Sequence, residues 1–338
     1  MSQSIAGPDV SDPIKFAYWV SNLSGGQVVS TIEQRTGFDI DYNIRLAKLA
    51  EAAGFDFALA PTRYLGGYRA DGQHDPWVFA VTLLRETSSL QLITAVLTGL
   101  WHPVVVAKLG ATAAHVAGNR WHVNILAGWF QAEYEALGVP WLPHDERYRR
   151  AEEFIDVLRG VWGQDEFSYQ GDFFRIKDYT LKPRPAADAQ PLIFQGGSST
   201  AARRMAGRSS DWFFTNGGTL DDIRPQVDQV KGYAAEQGRT LKVGINAFVI
   251  ARETEAEARA VHREIVRLAD VEAVNGFAHA VKQAGASTAD GIGNWARSDF
   301  DDLVQPNDGF KTNLIGTPEQ IAERIVAYKA IGVDLILA

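Results

Sequence analysis

"PLIFQGGSSTAARRMA", residues 191–206, runs a short apolar stretch into two glycines, two serines and a segment with helical spacing. The apolar run is nearly continuous, as a strand covered on both faces of a parallel sheet should be. Gly196 and Gly197 remove side chains where the backbone must come close to something, and Ser198 or Ser199 is placed to cap the following helix. Such a helix start offers free N–H groups and the positive end of the helix dipole. The turn is therefore either an ordinary capped turn or an anion site. Strand, glycine turn and helix make one β/α unit, and the fold depends on how often that unit recurs.

It recurs along the whole chain. "IKFAYWV" (14–20), "FDFALAP" (55–61), "LQLITAVL" (90–97), "RWHVNILA" (120–127), "PLIFQGG" (191–197), "DWFFTNG" (211–217), "KVGINAFVIA" (242–251) and "VDLILA" (333–338) read as strands. Helical periodicity falls between them, at 41–53, 77–88, 103–117, 147–162, 199–207, 220–237, 254–268 and 317–331. In 147–162, Tyr148, Ala151, Ile155, Leu158 and Trp162 lie three or four residues apart and make one apolar stripe. Eight alternations without a linker or composition break predict an α/β fold, a (β/α)8 TIM barrel with insertions at the C-terminal face of the strands. A doubly wound sheet would place G-x-G-x-x-G after an early strand, and no such motif or Walker-type turn occurs. The organisation expected is a flexible segment at 1–13 and a single barrel domain at 14–338.

Composition excludes several function classes. The 338 residues are 46% hydrophobic and 22% charged, a globular profile. A formal net charge of −8 gives no basic footprint for nucleic acid and disfavours an anionic membrane surface. No run of 18 apolar residues occurs, and "MSQSIAGPDVSDP" lacks the features of a secretory signal, so a cytoplasmic protein is expected. There is no cysteine, no H-x-H, no H-E-x-x-H and no G-x-S-x-G, so no metal site and no hydrolase nucleophile is marked.

In a barrel of this kind the chemistry sits on the loops after the strands. Three are long: 21–39, 163–190 with a small hairpin, and a lid-like insertion at about 270–316, poor in periodicity. "HDERYRRAEEF" (144–154) opens a helix with Asp145 as the expected N-cap. Arg147, Arg149 and Arg150 then stand where cations work against the helix dipole. Surface pairs with Glu146, Glu152 and Glu153 would offset that cost, and so would a bound phosphate shared with the 196–199 turn. In "VNILAGWF" (123–130), Asn124 interrupts an apolar strand and needs a partner if buried. Trp129 follows it, and Trp19 and Trp101 end two other strands; together they would make a flat apolar slot for a planar ring system.

Five stretches together resemble the bacterial luciferase-like flavin monooxygenase superfamily. They are "VNILAGWFQAEY", "HDERYRRAEEFIDVLRGVW", "YQGDFFRIKDYTLKPRP", "FQGGSSTAARRMA" and "NDGFKTNLIGTPEQIAERI". The likeness spans nearly all of 14–338. Its opening "KFAYWVSNLSGGQVVSTIEQRTGFDIDYN" and late "GNWARSDFDDLVQPNDGFKTNLIGTP" look like the members that oxidise dimethyl sulfone. "ALAPTRYLGGYRADGQHDP" (58–76) and "NILAGWFQAEY" (124–134) depart from that pattern beside the expected substrate pocket. Another small substrate, such as an alkanesulfonate, and a deazaflavin-dependent oxidoreduction stay open as alternatives. Family members also continue with a further helix beyond the point where "VDLILA" ends this sequence, leaving one barrel face less covered.

The resemblance implies a two-component enzyme. It would take FMN as FMNH2 from an NAD(P)H-dependent flavin reductase and use O2 to oxidise a small organosulfur substrate. A homo-oligomer, dimer or tetramer, is expected. Carried onto this sequence, Gly197, Ser198, Ser199, Arg147 and Tyr148 would hold the phosphate. Asn124 would meet the isoalloxazine edge, Thr62 and Arg63 would line the flavin, and Glu133 would lie near the ribityl side. Asn124, Trp129, His74 and Arg297 are the residues expected around the reacting oxygen and substrate.

Overall fold

The computed structural model describes residues 12–197, 199–286, 295 and 297–338. In chain order the elements are β1 (Lys15–Trp19), α1 (Ile40–Ala52), β2 (Phe57–Ala60), α2 (Pro76–Glu86), β3 (Gln91–Leu97), α3 (Pro103–Ala117), β4 (Trp121–Leu126), α4 (Gln131–Ala136), α5 (His144–Gly163), β5 (Phe167–Gln170) and β6 (Arg175–Tyr179). Then follow β7 (Ile193–Gly196), α6 (Thr200–Ser209), β8 (Trp212–Thr215), α7 (Leu220–Glu236), β9 (Lys242–Asn246), β10 (Ile250–Ala251), α8 (Glu255–Arg267), α9 (Val271–Ala286), α10 (Phe300–Leu303), β11 (Ile315–Gly316), α11 (Pro318–Ala330) and β12 (Leu335–Leu337). Eight of the strands are parallel and close a barrel in the order β1–β2–β3–β4–β7–β8–β9–β12, with β12 pairing back onto β1. The (β/α)8 barrel expected from the strand pattern is the fold. The glycine turn at 196–197 ends its fifth strand, β7.

Successive residues of a strand face opposite sides, so half of each barrel strand points inward. Ala17, Phe57, Leu59, Ile93, Phe194, Trp212, Phe214, Leu335 and Leu337 meet there in one buried cluster. Phe194 stacks on Trp212 and Phe214, with ring centroids 5.4 and 5.5 Å away. Bulk on one strand is matched by its absence on the next. Gly244 on β9 faces Phe214, and a Cβ added at 244 would stand 2.5 Å from that ring. The outward residues Trp121, Val123 and Ile125 of β4 instead pack with Ala107, Phe154, Leu158 and Trp162 of the helical layer.

β5 and β6 form the antiparallel hairpin expected between α5 and β7. The excursion between β9 and α11 differs from expectation. Glu255–Arg267, read as a barrel helix, belongs to a satellite unit with the short parallel pair β10–β11. Val271–Ala286, read as part of an aperiodic loop, is a 16-residue helix. Val274, Phe277 and Val281 recur on one face of it and join Val28, Val29, Ile265, Val304 and Phe310 in a separate buried cluster. The 21–39 loop is tied into this unit. Val29 N–H donates to the Val304 carbonyl (2.7 Å), and Ser30 Oγ donates to the Ile265 carbonyl (2.8 Å). Gln34 braces the loop itself, its Oε1 accepting from Gln27 and Val28 amides at 2.7 and 3.1 Å. Among the described residues, no helix is long and apolar enough to cross a membrane.

His122 sits two residues below Asn124 on the inward face of β4 and is buried. Its Nδ1 accepts from the Leu192 amide (3.1 Å) and its Nε2 lies 2.7 Å from Gln91 Oε1, so the ring is neutral and carries its proton on Nε2. Burial pushes the imidazole down from 6.5 to about 3. Between those values the unfolded chain binds a proton that the folded chain does not, so the stability His122 supplies is present above pH 6.5 and is lost as pH falls towards about 3. Denaturation midpoints of wild type and His122→Asn, measured across pH 7 to about 5, should converge as pH falls. A difference that stays constant with pH would contradict a neutral buried imidazole.

Candidate active site

The barrel interior is filled by aromatic and leucine side chains up to its last inward layer, where filling stops. Leu59, Ala95, Asn124, Gly196, Phe214 and Leu337, each from a different barrel strand, floor a cleft of about 200 Å³ at the C-terminal mouth. Trp19, Trp129, Trp295, Tyr148 and Asn246 wall it. It adjoins an outer cavity of about 240 Å³ beneath the satellite unit, sharing Trp19, Thr62, Trp129, Trp295 and Asn307 with it. Trp129 stacks on Phe130, with centroids 5.2 Å apart, and lies 5.7 Å from Trp295 and 6.1 Å from Phe277. One barrel loop and the excursion therefore form a shared aromatic roof.

Asn124 lies level with Ala95 on β3 and Phe194 on β7. Its Oδ1 is buried and has no hydrogen-bond partner among the described residues, which leaves an acceptor inside the cleft. An unsatisfied buried group costs about 1–3 kcal/mol, so such atoms mark places where a ligand is expected. Asn246 is the matching polar interruption of β9 and is satisfied within the protein. Its Nδ2 donates to the Thr215 carbonyl (3.0 Å), and its Oδ1 accepts from Trp19 Nε1 (3.2 Å), which sets the Trp19 ring on the wall. The sequence reading did not single out Asn246, although the signal that marked Asn124 also marks it.

The opening turn is built as a cradle. Gly197 has φ of +152°, and a Cβ there would stand 2.6 Å from Ala202 Cβ and 3.1 Å from the Tyr148 hydroxyl. Ser199 caps α6, its Oγ accepting from the Ala202 amide at 3.2 Å. Tyr148 reaches across from α5 to hydrogen-bond Ser199; burial raises its phenol pKa, opposed by that bond and by Arg147 and Arg203. Gly197, Ser199 and Tyr148 thus come together at the cleft. Ser198 lies outside the described residues.

The arginine cluster divides. Helix α5 begins at His144 with Pro143 as N-cap, so Asp145 is not the cap; it sits in the first turn and pairs with His144 Nδ1 (2.7 Å). Arg149 is a surface cation paired with Glu146 (2.5 Å) and Asp172. Arg147 is buried, lies over the Trp141 ring at 3.8 Å and donates from Nη1 to the Gly128 carbonyl. Nε and Nη2 of Arg150 are buried without hydrogen-bond partners among the described residues. Burial lowers the pKa of both guanidinium groups, and neither has an ion pair among the described residues.

Of the other expected residues, Thr62 lines the cleft and the rest lie apart from it. Buried Glu133 does not line either cavity; its Oε1 accepts from the Tyr64 (2.6 Å) and Leu65 (3.3 Å) amides and holds the loop after β2. That loop presents Thr62 to both cavities and Arg63 to the outer one. His74 is exposed, sandwiched between Phe38 and Phe79 at 5.3 and 4.9 Å. Arg297 is 88% exposed and lies 3.7 Å from Asp222. Trp101 donates to the Tyr64 hydroxyl (3.2 Å), outside both cavities. The structure brings none of these last three to the cleft.

The roof also contains a buried acid that no sequence motif singles out. Asp308 follows Asn307 at the cavity edge, accepts from Ser298 Oγ (2.5 Å) and Asn216 Nδ2 (3.3 Å), and lies 3.7 Å from Lys311. Burial pushes its carboxyl up to about 6. Among the described residues, no group of His, Cys, Asp and Glu is arranged to hold a metal ion.

Comparison with known proteins places this geometry. Residues 14–335 match the family described as luciferase-like monooxygenase. An FMNH2-dependent dimethylsulfone monooxygenase of Pseudomonas putida is 60% identical over 329 residues, covering 97% of this chain and 91% of its own. One from Pseudomonas fluorescens (strain Pf0-1) is 58% identical over 325 residues, covering 96% and 89%. Among solved structures, riboflavin lyase with modified FMN and riboflavin superposes with a TM-score of 0.80 at 21% identity, covering 96% of this chain and 87% of its own. That likeness concerns the fold.

The cradle gives a direct test. Gly197→Ala puts a methyl group against Ala202 in a backbone region that side chains rarely adopt, a strain of about 1–3 kcal/mol. The expected result is a folded barrel by circular dichroism, with FMN affinity at least about tenfold weaker by flavin fluorescence. Unchanged affinity would remove the turn from the site.

Proposed function

Because this chain belongs to the luciferase-like monooxygenase family, we propose that it is an FMNH2-dependent monooxygenase that converts dimethyl sulfone to methanesulfinate and formaldehyde. The observation that carries this reading is its 60% identity, across 97% of its length, to an FMNH2-dependent dimethylsulfone monooxygenase. Each turnover consumes one O2 and one FMNH2. One oxygen atom leaves in formaldehyde and the other as water; the carbon–sulfur bond breaks with its electron pair on sulfur, and FMN is left oxidised. FMNH2 is thus spent, which calls for a separate flavin supplier; we infer an NAD(P)H-dependent flavin reductase.

The residues present fit the cofactor. The Asn124 Oδ1, unpartnered among the described residues, is an acceptor on the floor of the cleft, and a flavin ring carries N–H donors along its edge. Trp19 and Trp129 offer the flat walls that a planar system packs against. At the other end, the Gly197–Ser199 turn, the start of α6 and the Tyr148 hydroxyl suit a phosphate. Buried Arg147 and half-buried Arg150 add positive potential at the start of α5. Glu133 acts as a positioning residue for the loop that carries Thr62 and Arg63.

The reduced flavin, when bound, supplies the electrons that activate oxygen, so the chain itself needs no nucleophile and no strong acid. Its residues bind, orient and exclude water. The roof of Trp129, Trp295 and Phe277 closes the mouth with apolar surface, which limits wasteful reaction with solvent. Asn124 would hold the edge of the ring in the cleft, which borders the outer cavity.

Protein supplied with FMN, NADH and a flavin reductase under oxygen should release formaldehyde and methanesulfinate in equal amounts from dimethyl sulfone. No turnover of that compound would contradict the substrate assignment and leave the fold standing. Ser199→Asp should keep the helix cap, since aspartate is a good N-cap, while setting a like charge beside the phosphate. FMN affinity should fall at least about tenfold, and an unchanged value would contradict phosphate binding at this turn.

A further inference from the structure

We propose that the outer cavity is the sulfone-binding site and that the Arg63 guanidinium recognises the two sulfone oxygens, an inference that rests on the monooxygenase reading above. Nε and Nη2 of Arg63 are buried without hydrogen-bond partners among the described residues, and the side chain lines the outer cavity. Its guanidinium carbon lies 5.8 Å from the Tyr68 ring centroid and 5.5 Å from that of Phe130. The neighbouring carboxylate, Glu133, is engaged by the Tyr64 and Leu65 amides and makes no ion pair with Arg63. Here is a desolvated cation held by ring faces, with two N–H groups aimed at no protein acceptor. Such a group is costly to leave unmatched and gains when an acceptor arrives.

The geometry of those donors specifies the ligand. Nε–H and Nη2–H form one edge of a planar fork, which suits two acceptor oxygens on a single atom. A sulfone offers that pair and no donor of its own, and its methyl groups match the apolar faces of Tyr68, Trp129, Phe277 and Trp295 on the same cavity. Ser21 adds a second donor. Its Oγ is buried on this cavity without a partner among the described residues, and its backbone is held by Asn43, which accepts from Ser21 N (2.9 Å) and donates to Ser21 O (2.8 Å). The Glu133 charge acts on Arg63 and offsets part of its field, so the cavity offers donors without strong net charge. That favours a neutral sulfone over a sulfonate. The outer cavity borders the cleft assigned to flavin through Trp19, Thr62 and Trp129, which puts a bound methyl group beside the reacting ring.

The test uses FMN-loaded wild type, Arg63→Met, Arg63→Lys and Ser21→Ala. Dimethyl sulfone binding is read by saturation transfer to its methyl proton signal, KM by oxygen uptake, and FMN affinity by fluorescence. Arg63→Met should raise the sulfone Kd and KM at least about tenfold with FMN affinity within about twofold of wild type. Arg63→Lys should recover little, because lysine keeps the charge and loses the fork; Ser21→Ala should cost about threefold. Sulfone affinity unchanged in both Arg63 variants would overturn the proposal, and so would a parallel loss of FMN, which would make Arg63 a flavin ligand. Arg63-dependent binding of methanesulfonate without binding of the sulfone would overturn the choice of ligand. Turnover by wild type with unaffected Arg63 variants would overturn only this inference, whereas a wild type that neither binds nor oxidises dimethyl sulfone would overturn the functional reading as well.

Discussion

A closed parallel barrel must fill its interior with the inward half of every strand, because a packed interior leaves few voids larger than a water molecule. Here Phe57, Phe194, Trp212 and Phe214 do that through most of its depth. The last inward positions, Ala95, Gly196, Asn124 and Asn246, are small or polar and cannot complete the layer. The cleft follows from that shortfall, and so does its location at the C-terminal ends of the strands. A neutral imidazole below, at His122, and an unpaired amide oxygen above, at Asn124, mark the change from packing to binding along a single strand.

The electrostatics of the site fit a cofactor-driven reaction. Among the described residues, no carboxylate or imidazole lines the inner cleft, and its polar side chains are amides, a phenol, the Thr62 hydroxyl and tryptophan indoles. Beside it, Arg147, Arg150 and Arg63 lack ion pairs among the described residues, and each carries a desolvation cost that an anion or strong acceptor would offset. In the proposed reading Arg147 serves the phosphate end, through its field at Tyr148, and Arg63 serves the substrate in the outer cavity. The chain as a whole carries −8, so these local cations stand against the prevailing sign.

The barrel was legible because buried parallel strands are continuous in apolar character, and each of the eight expected runs contains a barrel strand. The glycine turn, the Ser199 cap and the Asn124 interruption were also visible, since each breaks a local rule that only a nearby contact repairs. Helix α9 was not: Asn275, Gly276 and Gly285 are weak helix formers and hid the steps of three and four that join Val274, Phe277 and Val281. Glu255–Arg267 was a correct helix in the wrong place, because periodicity does not say which core a face meets. His74 and Arg297 were picked for residue type and loop position, and burial and direction, which decide such choices, are tertiary properties.

The central claim is that the ends of the fourth and fifth barrel strands together hold FMN. A crystal structure of the protein with FMN tests it most directly. The account predicts the ring in the cleft against Asn124 and the phosphate at the turn that begins with Gly197, within hydrogen-bond distance of Tyr148 and the start of α6. Well-defined FMN at another place on the barrel, with this cleft filled by solvent, would contradict it.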